Sequence, residues 1–367
     1  MPEIKSPTWH PDPHTLAKHE ILKRYLQAWF PILGSKYRRV VYLDGFAGPG
    51  IYDDGSKGSP VIALECLLTH KLRPQLLKRT EFVFIFIERD KKRKEILERV
   101  LKEFFPDLPE NVKPHVINAE FAPTMNDILD DLERHGARLA PTFAFLDPFG
   151  YAGLPLGTIQ RMLGYKSCEV LINFNYKSIN RFVQISDKRE EIFDELFGTG
   201  EWRKVRQIKD PQQRRSFLIE LYKRQLKQFS RYVSSFEMID KNNQVLYDLV
   251  FATNHWKGLE VMKEAMWKVD PRGTYRFSDT TDVGQKYIID YSDEKHWVFE
   301  AADAVFNRFK GQSVPVEEVY EYVITETPYL FRRDILKKLE EQGKISDVKN
   351  RKRRMTYPNG CVILFSS

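Results

Sequence analysis

Apolar positions along the first two thirds of the chain follow two alternating patterns. Short continuous apolar runs, such as FVFIFI at 82–87, stand between segments in which apolar residues recur every three or four positions. The runs are typical of strands buried on both faces, and the three-to-four spacing is typical of amphipathic helices. Strands that alternate with helices predict an α/β fold with a mostly parallel sheet, helices on both faces and right-handed crossovers.

These patterns place the predicted elements. In chain order they are a helix over 15–33, a strand over 40–44, a helix from 58–60 to about 72, a strand over 82–87, a helix over 91–104, and strands over 112–119, 143–146 and 169–174. A charged helical region follows at 187–230, with Trp202 and Phe217 as predicted core residues. The apolar runs 232–239 and 245–252, joined by the polar DKNNQ, predict a terminal antiparallel hairpin.

The pattern changes after a helix around 259–267 and a polar stretch, 271–285, that we interpret as a linker. The elements predicted beyond it are helices from His296, over 316–324 and over 331–342, and extended segments at 344–348 and 362–365. Three helices and a basic two-stranded hairpin predict a winged helix-turn-helix, a fold that binds nucleic acid or docks proteins. Both of these roles remain open.

The first strand leads into a turn with three glycines, in the stretch VVYLDGFAGPG at Val40–Gly50. The glycines are spaced G-x-x-G-x-G, whereas the dinucleotide fingerprint is G-x-G-x-x-G. A carboxylate at the strand tip suits a cation better than a pyrophosphate, and S-adenosylmethionine carries ammonium and sulfonium groups. We predict an S-adenosylmethionine site formed here by Asp44, Gly45, Phe46, Gly48 and Gly50. The alternative is an ordinary glycine-rich turn between a strand and a helix.

Acidic residues also follow the next strands. Glu88 ends the second strand, where a carboxylate can accept hydrogen bonds from both ribose hydroxyls. Its alternative role is a surface acid paired with Arg89 or Lys92. Glu120 or Asn118, after the third strand, could contact the adenine, and a structural role is equally open for both. Because the carboxyl ends of parallel strands meet at one sheet edge, we expect these acids to converge on one crevice.

The fourth strand runs into LDPFGYAG, Leu146–Gly153. This loop is similar in part to the Asp-Pro-Pro-Tyr loop of amino-directed DNA and RNA methyltransferases, in which the Asp and a proline carbonyl accept the target amino protons and the aromatic ring stacks on the base. The candidate catalytic residues are therefore Asp147, Pro148 and Phe149. The alternative is a proline-stiffened turn with Phe149 in the core.

Composition narrows the class of protein. With 367 residues, 42% apolar and 30% charged, the chain fits a globular protein of two domains, which we place at 1–285 and 286–367. No apolar run is long enough to span a membrane and the start has no apolar signal core, so we expect a cytoplasmic protein. The three cysteines are far apart, so we expect neither disulfides nor a zinc site, nor any other metal.

Basic residues are clustered although the net charge of +7 is modest. In the segment 89–102, interleaved acids favour a solvated helix face with ion pairs between residues four apart. The second cluster has almost no acids and is predicted to bind nucleic acid through Lys349, Arg351, Lys352, Arg353 and Arg354. No serine-hydrolase elbow, HExxH zinc motif or phosphate loop competes with these candidates.

Several of these segments together resemble the three-Cys-motif partner (TcmP) proteins: KHEILKRYLQAW, YLDGFAGPG, KGSPVIALE, FLDPFG and FATNHWKGLEVMKEAMW. The resemblance covers most of residues 15–270 and implies a Rossmann-like class I methyltransferase fold that binds S-adenosylmethionine. It also implies a partner protein with a three-cysteine motif, similar to radical S-adenosylmethionine enzymes. By position, the resemblance assigns Asp44 and the glycines to the cofactor, Glu88 to the ribose and Asp147–Gly150 to the loop after the fourth strand. Lys18 matches only the helix motif.

We therefore predict an S-adenosylmethionine-dependent methyltransferase that acts on RNA or DNA and is recruited to it by the winged helix. Two alternatives differ in class. One is a non-catalytic adaptor for the three-Cys partner, and the other is a methyltransferase of small molecules or peptides.

Overall fold

A computed structural model describes residues 7–183, 190–242, 244–270, 276–278 and 296–367. These residues divide into two compact units. The larger unit extends through Ala265 and includes the short strand at 276–278, and the smaller unit contains Met266–Asp270 and residues 296–367.

An eight-stranded sheet forms the centre of the larger unit. Its strands are β1 Arg39–Asp44, β2 Glu81–Ile87, β3 Val112–Ile117, β4 Thr142–Leu146, β5 Cys168–Phe174, β6 Tyr232–Ile239, β7 Val245–Thr253 and β8 Arg276–Ser278. The spatial order is β3-β2-β1-β4-β5-β7-β6-β8, in which β7 runs antiparallel to both of its neighbours. The other neighbours run parallel. The larger unit is therefore an α/β fold with a mostly parallel central sheet.

The helices that connect these strands include several with a proline in their first turn, where no backbone N–H is needed. The helices are α1 Pro13–Gly34, α2 Ser59–Leu68, α3 Arg73–Leu76, α4 Lys91–Phe104, α5 Phe121–Arg134, α6 Leu156–Gly164, α7 Tyr176–Val183, α8 Glu190–Phe197, α9 Pro211–Leu226 and α10 Trp256–Val269, with a 3-10 helix at Gly200–Gln207.

Side chains of successive strand residues point to opposite faces of the sheet, and both faces are covered. On one face, aromatic rings of α1 meet rings of the strands: Tyr25 and Trp29 pack on Phe143, and Phe30 packs on Phe82. On the other face, a continuous apolar cluster joins the sheet to α5, α6, α8 and α9. The buried parallel strands therefore carry continuous apolar runs.

A buried carboxylate fastens α1 to the sheet. Glu169, on β5, accepts hydrogen bonds from Tyr25 Oη at 2.6 Å, from Trp29 Nε1 at 2.8 Å and from Thr253 Oγ1 at 2.6 Å. Burial raises the pKa of Glu169, and the three hydrogen bonds act in the opposite direction. These contacts fix the rotation of α1 and therefore the direction in which its first turns face.

The smaller unit contains α11 His296–Phe309, β9 Ser313–Pro315, α12 Val316–Glu326, α13 Arg333–Glu341, β10 Ile345–Lys349 and β11 Val362–Phe365. Its strands pair in the order β10-β11-β9, with both pairs antiparallel. Apolar residues of all three helices and all three strands form its own core. The three predicted helices and the extended segments at 344–348 and 362–365 are confirmed, whereas β9 was not predicted.

The prediction for 271–285 is wrong in one part. Residues 276–278 of this polar stretch form β8, which pairs parallel to β6, and the rest of the stretch lies outside the described residues. The antiparallel hairpin of β6 and β7 is confirmed, but its predicted position at the edge of the sheet is wrong, because β8 pairs with β6 and forms that edge. Trp202 is fully buried and Phe217 packs against the core while partly buried, whereas residues 187–189 lie outside the described residues. All three cysteines are buried and free.

In the described part of the chain, no helix is both long and apolar enough to cross a membrane.

Candidate functional site

The loop after β1 is shaped by close packing. Gly45 donates its N–H to Phe145 O at 3.0 Å, and Ala47 donates to Ile87 O at 2.9 Å, so the loop crosses the ends of β4 and β2. A Cβ at Gly45 would lie 2.7 Å from Leu146 Cδ2, and a Cβ at Gly50 would lie 2.6 Å from Leu97 Cδ1. Neither position has space for a side chain. These two glycines are therefore explained by packing of the protein against itself, without a ligand.

Asp44 is completely buried and supports this loop from below. It accepts hydrogen bonds from Phe46 N at 3.2 Å and Tyr42 Oη at 3.4 Å. Burial raises the pKa of Asp44 to about 7, against the lowering effect of hydrogen bonds from the Ser59 side chain and the Phe46 backbone.

Glu88 also stabilises the loop after β1 through hydrogen bonds to backbone amides. Its Oε2 accepts from Gly48 N at 2.9 Å and its Oε1 accepts from Asp90 N at 2.7 Å. Both of its oxygens are therefore engaged with backbone amides, and neither Glu88 nor Asp44 is part of the cavity wall described next. Glu120 and Asn118 are exposed, outside that wall, and the Asn118 amide donates to Glu88 O at 2.9 Å.

A cavity of about 850 Å³ opens at the carboxyl ends of β1 and β4. From β1 the chain continues to β2 and β3 on one side, whereas β4 and β5 lie on the other side, so the sheet has its topological switch point here. Open α/β sheets bind ligands at such points. The wall includes the turn from Phe46 to Tyr52, the loop from Asp147 to Ala152, the start of α1 and the residues that lead into α4. Of the predicted cofactor residues, Phe46, Gly48 and Gly50 line it.

Asp147 lines the cavity and is held from two sides. Its Oδ2 forms an ion pair with Lys18 Nζ, and its Oδ1 accepts from Asn173 Nδ2 at 2.6 Å. The Lys18 ammonium, on a side chain that is only 6% exposed, also lies 5.5 Å from the centre of the Tyr247 ring. The first turns of α1, the loop after β4 and the end of β5 are joined by these contacts.

Three buried polar atoms in the cavity wall have no hydrogen-bond partner. One is Arg93 Nε, on a half-buried side chain; the other two, Asn173 Oδ1 and His19 Nδ1, belong to buried side chains. The bond to Asp147 fixes the Asn173 amide, because a carboxylate can only accept from the NH₂ group, so the amide oxygen is the free end. Burial, followed by the charge of Lys18, lowers the pKa of His19 to about 3, which keeps its imidazole neutral. An unpaired buried polar atom costs free energy, so both atoms are positions where a ligand could bond.

Aromatic rings surround the mouth of the cavity. Phe149 is 42% exposed, so it does not lie in the core, and its ring meets Trp9 edge-on at 5.0 Å. The Arg93 guanidinium lies 5.3 Å from the Trp9 ring and 5.2 Å from the Phe149 ring. Tyr52 also meets Trp9 edge-on, with the ring centres 5.6 Å apart. Tyr151, by contrast, is buried and stacks on Phe193 at 5.0 Å, so Phe149 is the exposed ring of the loop.

Sequence reasoning did not find several of these side chains. Lys18 and His19 were visible only as part of a helix motif, and Trp9 precedes the first predicted element. Asn173 could have been found with the rule that identified Asp147, because it lies near the carboxyl end of β5. That rule was applied to the first four strands but not to the fifth.

The basic cluster of the smaller unit is partly engaged within that unit. Arg351 forms two hydrogen bonds with Glu340, at 2.6 and 3.0 Å, and Tyr357 Oη donates to the same carboxylate at 2.5 Å. Arg351 therefore supports the turn between β10 and β11. The exposed cations of the cluster are Lys349, Lys352, Arg353 and Arg354, of which Arg354 lies 3.6 Å from Glu340.

The fold and the cavity define the class of protein: it has an open α/β sheet with a ligand-sized cavity at its topological switch point. No protein-family model and no curated protein matches the chain. Similar solved structures include LPL1258 from Legionella pneumophila str. Philadelphia 1, of family DUF519, with a TM-score of 0.35 and 14% identity over 64% of this chain and 85% of that one.

Two further structures are methyltransferases. Trm1 from Pyrococcus horikoshii, solved with S-adenosyl-L-methionine, has a TM-score of 0.36 and 12% identity over 71% of this chain and 61% of Trm1. The plantazolicin methyltransferase BpumL, solved with SAH, has a TM-score of 0.31 and 11% identity over 66% of this chain and 86% of that one. Because all three TM-scores are below 0.5, the interpretation of the site depends on its own geometry.

Proposed function

We propose that the larger unit binds S-adenosylmethionine in the cavity and transfers its methyl group to a nucleic acid. The observation that carries this proposal is the position of the cavity. It opens at the switch point between β1 and β4, between the glycine turn and the loop that starts with Asp147 and Pro148. An antiparallel hairpin next to the parallel strands, here β6 and β7, is also what class I methyltransferases have.

The cavity has chemistry that fits this cofactor. Its volume lies within the range of small-molecule sites, about 300–1,000 Å³. Asp147 and the free Asn173 oxygen can accept hydrogen bonds from an ammonium group, and Phe46 provides an apolar surface. Asp44 and Glu88 act through the loop that they hold, so their predicted direct contacts with the cofactor are not part of this proposal.

When bound, the cofactor supplies an electrophilic methyl group, and the protein needs mainly to align the acceptor with it. Different side chains of this protein contribute to that alignment. Lys18 and Asn173 hold Asp147 in one orientation, and Phe149 with Trp9 provides flat surfaces for an aromatic acceptor. The cavity wall also carries Arg89, Arg93 and Lys177, which favours an anionic acceptor.

We further propose that the smaller unit is a winged helix that helps to recruit the nucleic acid. Its order of helix, strand, two helices and two strands supports this proposal, as do the exposed cations Lys349, Lys352, Arg353 and Arg354. A cytoplasmic location and a partner with a three-cysteine motif remain part of the proposal on the basis of the sequence alone.

Calorimetry with S-adenosylhomocysteine tests the cofactor site with a matched pair of variants. Gly48 and Gly136 have nearly equal positive φ angles, 63° and 61°, which asparagine tolerates best among residues with a side chain. Only Gly48 lines the cavity, and a Cβ at Gly136 meets open space. We expect wild type and Gly136→Asn to bind and Gly48→Asn to bind at least tenfold more weakly. No binding by wild type, or equal binding by both variants, would contradict the proposed site.

A non-catalytic adaptor is the second candidate, and one observation favours it. The Asp147 carboxylate already has Lys18 and Asn173 as partners, so fewer of its hydrogen-bonding positions are free for a substrate. Incubation with labelled S-adenosylmethionine and cellular RNA, DNA and protein fractions separates the two functions. Label in RNA or DNA supports the enzyme, label in protein supports a peptide methyltransferase, and cofactor binding without label in any fraction supports the adaptor.

A further inference from the structure

Four basic residues lie where the chain enters α4, next to the mouth of the cavity. Arg89 and Arg93 line the cavity, and Lys91 and Lys92 are exposed beside them. We call Arg89, Lys91, Lys92 and Arg93 the basic rim. The rim belongs to the larger unit and is separate in sequence from the basic cluster at 349–354.

The composition of the rim is unusual for the start of a helix. The N-terminus of a helix carries a partial positive charge, which favours acids and disfavours cations. Asp90 satisfies part of this end by accepting from Arg93 N at 2.9 Å, but basic side chains surround it. Within α4, the ion pair between residues four apart joins Lys94 to Glu98, beyond the rim. Ion pairing along a solvated helix face, which the sequence predicts here, therefore does not account for Lys91 and Lys92.

Independent observations point to a ligand in the cavity that the rim borders. Asn173 and His19 are 7% and 6% exposed, and each has an unpaired polar atom in the cavity wall. The exposed Phe149 ring and the Trp9 ring stand at the same mouth as Arg93. With the Asn173 oxygen assigned to the cofactor, His19 Nδ1 remains inside the cavity as a hydrogen-bonding atom for an acceptor. That atom, the aromatic surfaces and the cations at the edge correspond to the base and the phosphates of a nucleotide.

We propose that the basic rim binds phosphates of a single-stranded nucleic acid and that one base of this strand enters the cavity past Trp9 and Phe149. The inference rests on the proposed function, since it names the form of the acceptor and its entry point. The base must be unpaired and unstacked because the atoms that would contact it are buried within the cavity, and a single strand presents such a base without the cost of opening a duplex. The guanidinium of Arg93, which now lies against both rings, is the group that a stacking base would displace towards the phosphates.

The test is fluorescence anisotropy of the full chain with a labelled 12-nucleotide RNA strand, a DNA strand of the same sequence and the corresponding DNA duplex. Arg89→Gln with Lys92→Gln neutralises two rim positions. Arg99→Gln with Lys102→Gln removes the same charge from exposed positions further along α4, outside the cavity wall. Lys352→Gln with Arg353→Gln removes it from the smaller unit.

Two phosphate contacts contribute about 1.4 to the slope of log K against log salt for a single strand, which corresponds to roughly 25-fold in affinity at 0.1 M salt. We expect the rim variant to lose about this much affinity and slope, and the Arg99 and Lys102 variant to lose less than twofold. Tighter binding of a single strand than of the duplex supports the inference, and the tighter of RNA and DNA identifies the acceptor. Equal losses in the rim and control variants, loss confined to the smaller unit's variant, or a preference for the duplex would overturn it.

Two further measurements distinguish lost strand binding from unfolding, and failure of this inference from failure of the proposed function. Because the rim cations oppose the helix dipole, the rim variant should have a Tm equal to or above that of wild type, so lost affinity would not reflect unfolding. Wild-type binding of S-adenosylhomocysteine is measured independently. Its absence would overturn the proposed function even if the strand binds at the rim, and its presence with no rim effect would overturn only this inference.

Discussion

Lys18 and Asp147 form an ion pair in which the Lys18 side chain is almost entirely removed from water. If Lys18 is replaced by methionine, the carboxylate keeps only the Asn173 amide as a partner. Removal of one member of such a pair leaves a partly buried charge uncompensated. We predict that Lys18→Met lowers the free energy of unfolding by about 1–3 kcal/mol in urea titrations.

The double variant Lys18→Met with Asp147→Asn provides the control for this prediction. Because it removes the carboxylate charge as well, it should recover part of the lost stability, and the difference measures the coupling of the two residues. Equal urea midpoints for wild type and Lys18→Met would show that the ion pair does not contribute to the free energy of unfolding.

Asp44 is predicted to make stability depend on pH. Its pKa in the folded protein is raised from 3.8 to about 7, so between these values the folded state keeps a proton that the unfolded state releases. The stabilisation is present below about pH 4 and is lost as the pH rises through about 7. Asp44→Asn carries no titrating proton, so its free energy of unfolding should fall less between pH 5 and pH 7.5 than that of wild type.

Urea denaturation at several pH values provides this comparison, with Asp127→Asn as the control because Asp127 is exposed. The control should follow wild type. A wild-type curve parallel to that of Asp44→Asn would mean that Asp44 does not titrate in this range.

At the level of single residues, the sequence located the right edge of the sheet but not the roles there. Asp44, Glu88 and Asp147 all follow strands as predicted, yet only Asp147 reaches the cavity wall. The difference lies in side-chain direction: Glu88 turns towards the amides of Gly48 and Asp90, a choice that depends on the loop's final conformation. Lys18 and Asn173 meet Asp147 from 129 and 26 positions away in the chain, and no local pattern encodes such distances.

At the level of elements, the fit between α10 and β5 leads to a sharper prediction. A Cβ at Gly258 would lie 2.0 Å from Glu169 Oε1 and 3.1 Å from Thr253 Oγ1. Gly258→Ala must therefore displace the carboxylate that holds α1, and we expect a loss of about 1–3 kcal/mol in the free energy of unfolding.

Gly157 provides the matched control, since it also lies in a helix and a Cβ there meets nothing within 4 Å. Because alanine is the better helix former, Gly157→Ala should be neutral or stabilising, by up to about 1 kcal/mol. Urea titrations of both variants decide the point. Similar stability of the two would mean that the contact near Glu169 relaxes without cost.

The elements that are well predicted are those whose burial requires a clear pattern of apolar residues in the sequence. Buried strands such as β2 and β5, and the amphipathic α4 at Lys91–Phe104, agree with the predictions within about a residue. The strands β8 and β9 have only three residues each, too few for a period to emerge. They form because a neighbouring strand offers unpaired backbone groups, which is a property of the tertiary structure.

At the level of the whole molecule, the two units have separate cores, and the core of the smaller unit draws on residues from α11 to β11. A chain of about 60–70 residues with its own core can fold alone. We predict that the fragment 296–367 keeps its structure, with helical circular dichroism, a cooperative thermal transition and dispersed amide resonances. A fragment without these signals would show that the smaller unit depends on the rest of the chain.

The contact between Trp9 and Phe149 has one more consequence, because it places a natural optical reporter at the entrance of the cavity. Trp29 and Trp202 are almost completely shielded from water and should respond little to anything that arrives there. A base or cofactor beside Trp9 would quench or shift its emission, and Trp9→Phe would remove that part of the signal. Ligand arrival could then be followed in a stopped-flow instrument without any attached dye.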